Sequence, residues 1–155
     1  MLERLKAPDK GKWNGIGGKI EKRETILQSI RREVLEEAGI DLHLAQVVRF
    51  TGVVTWTGAT HNPSENIGMY VFVAYFASGT FPWRGKEMNE GRLEWKEQQW
   101  VLNPHNKDVA NNIALFLPKM LNHTKPARYH CDYENQKLVH FEVYPKLETE
   151  YTQGI

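Results

Sequence analysis

The chain has 155 residues, and its 20 lysines and arginines almost balance its 19 aspartates and glutamates. With 41% hydrophobic and 11% aromatic residues, the composition predicts one globular domain over residues 1–155 and excludes a disordered or fibrous protein. Because there is no basic excess, we expect no duplex nucleic acid as partner and favour a small or locally recognised ligand.

Cysteine usage and apolar content indicate the compartment. Cys131 is the only cysteine, so no intramolecular disulfide is expected, and no Cys/His cluster has zinc spacing. The longest apolar stretch, 68–78, is too short to cross a bilayer, and no signal peptide opens the chain. We therefore expect a cytoplasmic protein with no membrane partner.

The first predicted elements are a short strand and a helix. Apolar and polar residues alternate from Met1 to Lys6 and stop at a turn signal over 7–11. A glycine-rich segment, 13–19, then leads to the clearest predicted helix, residues 26–38. Thr25, with a glutamine three residues later, predicts a capping box, and the glycine after residue 38 predicts the helix end.

Strands are predicted for the middle of the chain. Segments rich in β-branched and aromatic residues occupy 45–57, 67–77 and 93–102. A polar loop separates the first two segments and contains His61, a candidate contact at the rim of a pocket.

A second helix and a hairpin are predicted towards the C-terminus. Apolar residues recur at helical spacing over 108–122, where Pro118 should kink the helix or mark its start. The segment 127–144 predicts a hairpin that turns around 134–136. This order of elements predicts an α/β or α+β sandwich with a mostly mixed sheet between helices.

The helix over 26–38 carries three glutamates on one side and edge. At about 100° per residue, Glu33 and Glu37 are neighbours, and Glu36 lies beside them. The same helical wheel places Glu37 among the side chains expected to face the core: Ile26, Leu27, Ile30, Val34, Leu35 and Ala38. Like charges and partial burial both destabilise such a cluster, whereas a divalent cation reverses the sign.

Metal and phosphate binding are the chemistry that this pattern suits. Carboxylate oxygens are ligands for Mg²⁺, or alternatively Mn²⁺, and the glycine-rich segment with Lys19 offers free N–H groups and a cation to phosphates. The segment is not a Walker A loop, because Trp13 and Ile20 replace its first glycine and its Ser/Thr, and it lacks the last glycine of a dinucleotide-binding fingerprint. We therefore expect a phosphorylated substrate.

A family resemblance rests on 23 of these residues, from Gly18 to Ile40. Gly18 is followed after five residues by Glu24 and after seven more by Arg-Glu-Val-Leu-Glu-Glu-Ala-Gly-Ile. The pattern resembles the Nudix box, G-x5-E-x7-R-E-U-x-E-E-x-G-U with U aliphatic, at every fixed position. This resemblance implies an α/β/α sandwich with a mixed sheet, in which 26–38 is the catalytic helix.

The same resemblance implies the site residues. Mg²⁺ would be held by Glu33, Glu36 and Glu37, with Gly18 as a further metal contact, while Glu24 and Arg32 would join loop and helix. The substrate would be a nucleoside diphosphate linked to another group, bound along Gly17, Gly18 and Lys19. A metal-bound water would attack phosphorus, so no protein nucleophile is required.

Within the family, the chain resembles the MutT-like branch that hydrolyses oxidised purine nucleoside triphosphates such as 8-oxo-dGTP. Asn14 matches a residue that reads the purine edge, Trp56 a wall of the base pocket, and Glu90 a carboxylate that completes the metal site or acts as base. Asn111 and Asn112 stand where that branch usually has acidic residues. Their amides can pair with a purine edge but cannot share a proton as a carboxylate does.

Several alternatives remain open at this level. Asn14 with the glycine that follows is also typical of a type I′ turn, Trp56 of core packing, and Glu90 of a solvated loop. The substrate could instead be of the ADP-ribose type or a triphosphorylated RNA end, and a non-catalytic nucleotide sensor is a third function. We expect a monomer or homodimer. The opening residues resemble the second arm of the family's first hairpin, which predicts that the first strand of that hairpin is missing.

Overall fold

The computed structural model of the protein describes residues 1–6, 9–58, 68–81 and 84–152. Three α-helices are found in this part of the chain: α1 (Ile26–Ala38), α2 (Gln98–Val101) and α3 (Ile113–Asn122). The strands found there are β1 (Leu2–Arg4), β2 (Trp13–Asn14), β3 (Val47–Thr57), β4 (Gly68–Tyr75), β5 (Gly85–Met88), β6 (Gly91–Glu94), β7 (Ala127–Glu134) and β8 (Lys137–Tyr144). The predicted polar loop with His61 lies outside the described residues.

The strands form two four-stranded sheets rather than the single sheet predicted. The first has the order β2-β1-β6-β5 and is antiparallel throughout. The second has the order β4-β3-β7-β8 and is mixed, because β3 and β7 run parallel. The prediction of a mixed sheet is thus confirmed for the second sheet only.

Helix α1 has the predicted bounds for the predicted reasons. The Thr25 side chain accepts from the Gln28 N–H, and the Gln28 side chain accepts from the Thr25 N–H. At the other end Gly39 has φ 60°, a left-handed conformation that glycine adopts without a steric penalty, and its N–H returns to the Leu35 carbonyl. Sequence-local hydrogen bonds therefore determine both ends.

The buried face of α1 is nearly the predicted one. Ile26, Val34 and Ala38 are buried, whereas Leu35 is 54% exposed, so its assignment to the core was wrong. Ser29 is buried instead, and its hydroxyl donates to the Lys19 carbonyl at 3.5 Å. A small polar residue is needed there because the glycine-rich segment packs against the helix through its backbone.

Two other predicted elements were wrong in part. The strand over 93–102 ends at Glu94, because its partner β5 begins opposite at Gly85, and residues 98–101 are helical. The helix over 108–122 begins only at Ile113, because the backbone before it bridges to Trp13 in parallel. Pro118 lies inside α3 and neither starts nor ends it.

The C-terminal hairpin was predicted correctly, and its turn explains why. Strand β7 ends at Glu134 and β8 begins at Lys137. The two residues between them, Asn135 and Gln136, have φ 48° and 63°, as the tight turn of a two-residue hairpin requires. Among the described residues, no helix combines the length and the apolar character needed to cross a membrane.

Candidate active site

Arg32 is the centre of the ion pairs that join the glycine-rich segment to α1. Its Nε and Nη2 atoms donate to the two carboxylate oxygens of Glu24, each at 2.9 Å. Its Nη1 atom donates to Glu33 at 2.8 Å and to Glu36 at 3.2 Å, and Nη2 also reaches the Lys19 carbonyl at 3.1 Å. Only the planar guanidinium offers donors in this fixed arrangement, so a lysine could not replace it.

The contact between Glu24 and Arg32 lowers the pKa of the carboxyl group and raises the pKa of the guanidinium. The Arg32 hydrogen bonds, followed by the bond from the Glu21 N–H, lower the pKa of Glu24 from 4.5 to about 2. Hydrogen bonds to Glu24 and Glu33 raise the pKa of Arg32 above its ordinary value. The pair is therefore fully ionised at neutral pH and holds the loop against the helix.

Glu37 lies on the inner side of the same helix, as its position predicted. Its Oε2 atom accepts the Gly17 N–H at 3.1 Å. Partial burial is the main cause that raises the pKa of this carboxyl, and the nearby charges of Glu33 and Glu90 add to it. A cation beside Glu37 would offset both costs.

Gly18 lies directly against the Glu33 carboxylate. A Cβ built on Gly18 would overlap the Glu33 carboxylate, whereas one on Gly15 would meet nothing within 4 Å. The structure thus gives Gly18 a steric role beside the metal contact that the family resemblance implied.

The glutamates line one cleft of about 390 Å³ between α1 and the β5–β6 hairpin. The helix side consists of Glu33, Glu36 and Glu37, and the hairpin brings Glu90 to the opposite side. Sequence reasoning missed three further residues of this wall, Glu87, Met88 and Asn89, although their place on a short hairpin beside Glu90 could have indicated them. The fold therefore brings Glu90 into the same cleft as the three glutamates of α1.

This donor set fits a hard divalent cation, with one rearrangement. Among the described residues, no three carboxylate, imidazole or thiol groups converge tightly enough to hold a metal. Glu33 and Glu36 turn towards Arg32, and Glu37 accepts from Gly17. Metal binding therefore requires the glutamates to turn from these partners into the cleft that they already line.

A second group of candidate residues lies where β2 meets the chain entering α3. The Trp13 N–H donates to the Asp108 carbonyl at 2.7 Å, and the Ala110 N–H donates to the Trp13 carbonyl at 3.0 Å. Trp13 is buried, with the Lys96 ammonium 3.9 Å from its ring centroid. These contacts hold Trp13 in β2 against residues 108–110, which precede α3.

Trp56 projects from the face of the second sheet that α3 covers. It pairs with Cys131 in the parallel register and packs against the core there, so the packing interpretation of Trp56 is confirmed. Tyr133, on the same face, donates from its hydroxyl to Asn111 Oδ1 at 3.3 Å, and burial raises the pKa of Tyr133 to about 12. Tyr133 is a neighbour of the candidate base pocket that sequence reasoning missed.

The structure excludes the turn interpretation of Asn14 and shows the surroundings of Lys19 and Asn112. Asn14 and Gly15 do not form a type I′ turn, because neither has a positive φ, and the Asn14 amide oxygen instead accepts the Gly15 N–H at 2.8 Å. The Lys19 side chain is exposed, and the Lys19 carbonyl makes the contacts with Arg32 and Ser29. Asn112 makes no side-chain cap to α3.

Comparison with known proteins matches the part of the chain that contains the cleft and its glutamates. A family model described as the NUDIX domain matches residues 1–118. The chain is 63% identical over 114 residues to a Danio rerio protein named oxidized purine nucleoside triphosphate hydrolase, which covers 72% of this chain and 64% of the relative. A Mus musculus protein of the same name is 34% identical over 88 residues, 55% of this chain and 49% of the relative.

Further relatives extend the comparison. An uncharacterized Nudix hydrolase of Bacillus subtilis, YvcI, is 34% identical over 101 residues, 64% of this chain and 60% of the relative. The chain thus spans between about half and just under two thirds of these curated relatives. The crystal structure of the mutator MutT protein from Bacillus halodurans has the same fold, with a TM-score of 0.70, 24% identity and coverage of 94% of this chain and 88% of that one.

The depressed pKa of Glu24 predicts a pH-dependent stability. A carboxyl whose pKa falls from 4.5 to about 2 on folding stabilises the protein above pH 4.5, and this stabilisation is lost as the pH falls towards 2. Glu24→Gln should therefore unfold more easily than wild type at pH 7, with the difference shrinking over that interval. Urea titrations at several pH values measure it, with the exposed Glu21→Gln as control; a constant difference would contradict the prediction.

The steric role of Gly18 predicts the effect of one methyl group. Gly18→Ala should push the Glu33 carboxylate from its place beside Arg32 and destabilise the protein by about 1 kcal/mol or less, because the end of a flexible side chain can move aside. It should also weaken Mn²⁺ binding, followed by electron paramagnetic resonance. Gly15→Ala, where the Cβ has open space, is the matched control; equal behaviour of the two variants would argue against the contact.

Proposed function

Because this chain belongs to the Nudix family, we propose that it is a Mg²⁺-dependent hydrolase that cleaves a purine (deoxy)nucleoside triphosphate to the monophosphate and pyrophosphate. Oxidised purines, such as that of 8-oxo-dGTP, are the proposed bases, since two relatives are named for oxidised purine nucleoside triphosphates. The observation that carries the proposal is the cleft in which Glu33, Glu36, Glu37 and Glu90 face one another beside the glycine-rich segment.

The segment 13–18 runs from the proposed binding site of the base to the glutamates that would hold the metal. Its first residues are bonded to the chain entering α3, beside Trp56 and Asn111, and its last residues contact Glu37 and Glu33. A nucleotide with its base beside Asn14 would therefore extend its phosphates along Gly17 and Gly18 towards the glutamates. Exposed backbone at these glycines lets phosphate oxygens approach closely.

The glutamates supply both metal ligands and a base. Glu33, Glu36 and Glu37, with the backbone at Gly18, would hold Mg²⁺. When bound, the cation neutralises the diphosphate oxygens and lowers the pKa of a water molecule. Glu90, on the opposite wall of the cleft, is placed to accept a proton from the attacking water. The water oxygen bonds to phosphorus while the α–β anhydride bond breaks, which yields monophosphate and pyrophosphate.

Base recognition would rest on amide groups. Asn14 and Asn111 each offer one donor group and one acceptor, so they can pair with a 6-oxo purine edge. The Tyr133 hydroxyl bonds the Asn111 oxygen and so leaves the amide NH₂ to face a base carbonyl. With Asn111 and Asn112 in place of acidic residues, selection of the oxidised base would depend on these neutral contacts.

The cellular setting completes the proposal. We place this activity in the cytoplasm, where it would remove damaged nucleotides from the precursor pool, and Cys131 is a buried free thiol, as a reducing compartment permits. The working form would be a monomer or a homodimer.

The main test is a hydrolysis screen with Mg²⁺ that follows pyrophosphate from normal and oxidised nucleoside triphosphates and from triphosphorylated RNA, and AMP from ADP-ribose. Glu37→Gln keeps an oxygen to accept the Gly17 N–H but removes the charge, so it should lower kcat by about 100-fold or more while the protein still folds. Glu97→Gln, on the exposed surface before α2, should match wild type. Wild-type turnover in Glu37→Gln would refute the proposed site, and hydrolysis of only ADP-ribose or RNA would refute the proposed substrate.

A separate experiment tests whether Asn14 recognises the purine base. Asn14→Ala should lower kcat/KM for purine substrates by about ten-fold or more, since roughly 1 to 3 kcal/mol of buried hydrogen bonding is lost, and should affect pyrimidine substrates less. Asn122→Ala, exposed at the far end of α3, is the control. Unchanged values for purines would exclude Asn14 as a base contact.

A further inference from the structure

Strand β2 holds Asn14 with little backbone pairing of its own. The strand consists of Trp13 and Asn14 alone and lies at the edge of the first sheet. It pairs with β1, where Leu2 lies opposite Asn14, and Trp13 also bridges to Val109 before α3. Such a short edge strand gains little from the sheet, so its place depends on the Trp13 side chain, which is buried.

The Trp13 ring is in contact with the side chain of Lys96. The Lys96 ammonium lies 3.9 Å from the centroid of the Trp13 ring and 5.0 Å from that of Trp100, and the two indoles meet edge to face. Glu94 Oε2 lies 3.0 Å from the same nitrogen, and this hydrogen bond is the main cause that lowers the pKa of the Glu94 carboxyl. Two rings and one carboxylate therefore fix the ammonium over Trp13.

The charge of Lys96 has a purpose that an apolar side chain would not serve. Only 17% of this side chain is exposed, and proteins rarely bury a lysine unless its charge is paired. What the cation adds is a directional attraction to the face of the indole, which strengthens as solvent is excluded. Arg92 lies farther from the Trp13 centroid, at 5.2 Å, and is half exposed, so Lys96 makes the stronger contact.

Different cations hold the two ends of the segment 13–18. At the phosphate end, Arg32 donates to the Lys19 carbonyl at 3.1 Å. At the base end, Lys96 contacts the ring of Trp13. A change at Lys96 therefore leaves the contacts of Arg32 in place.

We propose that Lys96 is a positioning residue for base recognition, because its ammonium holds Trp13 and thereby fixes Asn14 in β2. This role rests on the proposed function, in which Asn14 reads the purine. Lys96 touches neither base nor phosphates and acts through Trp13 alone. Its loss should therefore weaken purine binding and leave hydrolysis at the glutamates unchanged.

The first test measures steady-state kinetics with Mg²⁺ on 8-oxo-dGTP, dGTP and dCTP. Lys96→Met keeps the apolar stem but removes the charge, so it should raise KM for the two purines by about three-fold or more, with kcat unchanged and a smaller change for dCTP. Lys96→Arg keeps a cation that can lie over the ring and should restore KM to near the wild-type value. Lys137→Met, at the exposed start of β8, is the matched control and should equal wild type.

The second test follows the contact itself without any substrate. The amides of Trp13 and Ala110 bond across the junction between β2 and the chain entering α3. Their hydrogen exchange should become faster in Lys96→Met and return towards wild type in Lys96→Arg, while exchange within α1 stays the same.

The two tests separate a failure of this role from a failure of the proposed function. Unchanged exchange at Trp13 in Lys96→Met, an unchanged KM for purines, or an equal rise for purines and dCTP would each overturn the role of Lys96. A wild-type protein that releases no pyrophosphate from purine nucleotides would instead refute the proposed function, and the exchange result would still decide whether Lys96 holds Trp13.

Discussion

The fork of hydrogen bonds from Arg32 is the interaction on which the candidate active site depends. One guanidinium binds both oxygens of Glu24, reaches Glu33 and Glu36, and caps the Lys19 carbonyl. Loop and helix are thereby fixed together, and Gly18 lies so close to the Glu33 carboxylate that a side chain at Gly18 would displace it. The same bonds turn Glu33 and Glu36 towards Arg32, and a cation bound as proposed would have to compete for them.

The candidate site carries a large negative charge, which the contacts with Arg32 and the backbone offset in part. Four carboxylates line one cleft, and burial and neighbouring charges raise the pKa of Glu37. Arg32 and the Gly17 N–H offset part of that repulsion. A cation bound as proposed would offset the rest, so the proposed catalysis and the stability of the protein would depend on the same charges.

The two faces of strand β7 in the C-terminal hairpin have different surroundings. One side of β7 packs Cys131 and Tyr129 into the core under α3. Its other side aligns His130 and Asp132 with hydroxyls from β3. A single strand thus contributes to the core on one face and to hydrogen bonds with β3 on the other, because successive side chains point to opposite sides.

The sequence by itself determined whatever depends on neighbours within a few residues. The bounds of α1 follow from Thr25 and Gly39, the hairpin from its two-residue turn, and the glutamate cluster from helical spacing. Tertiary structure decided the rest, since no local pattern encodes where a partner strand stops or which backbone a strand meets. That is why β6 ends early, α3 starts late at Ile113, Leu35 is exposed, and the positions of Glu87 and Tyr133 follow only from the fold.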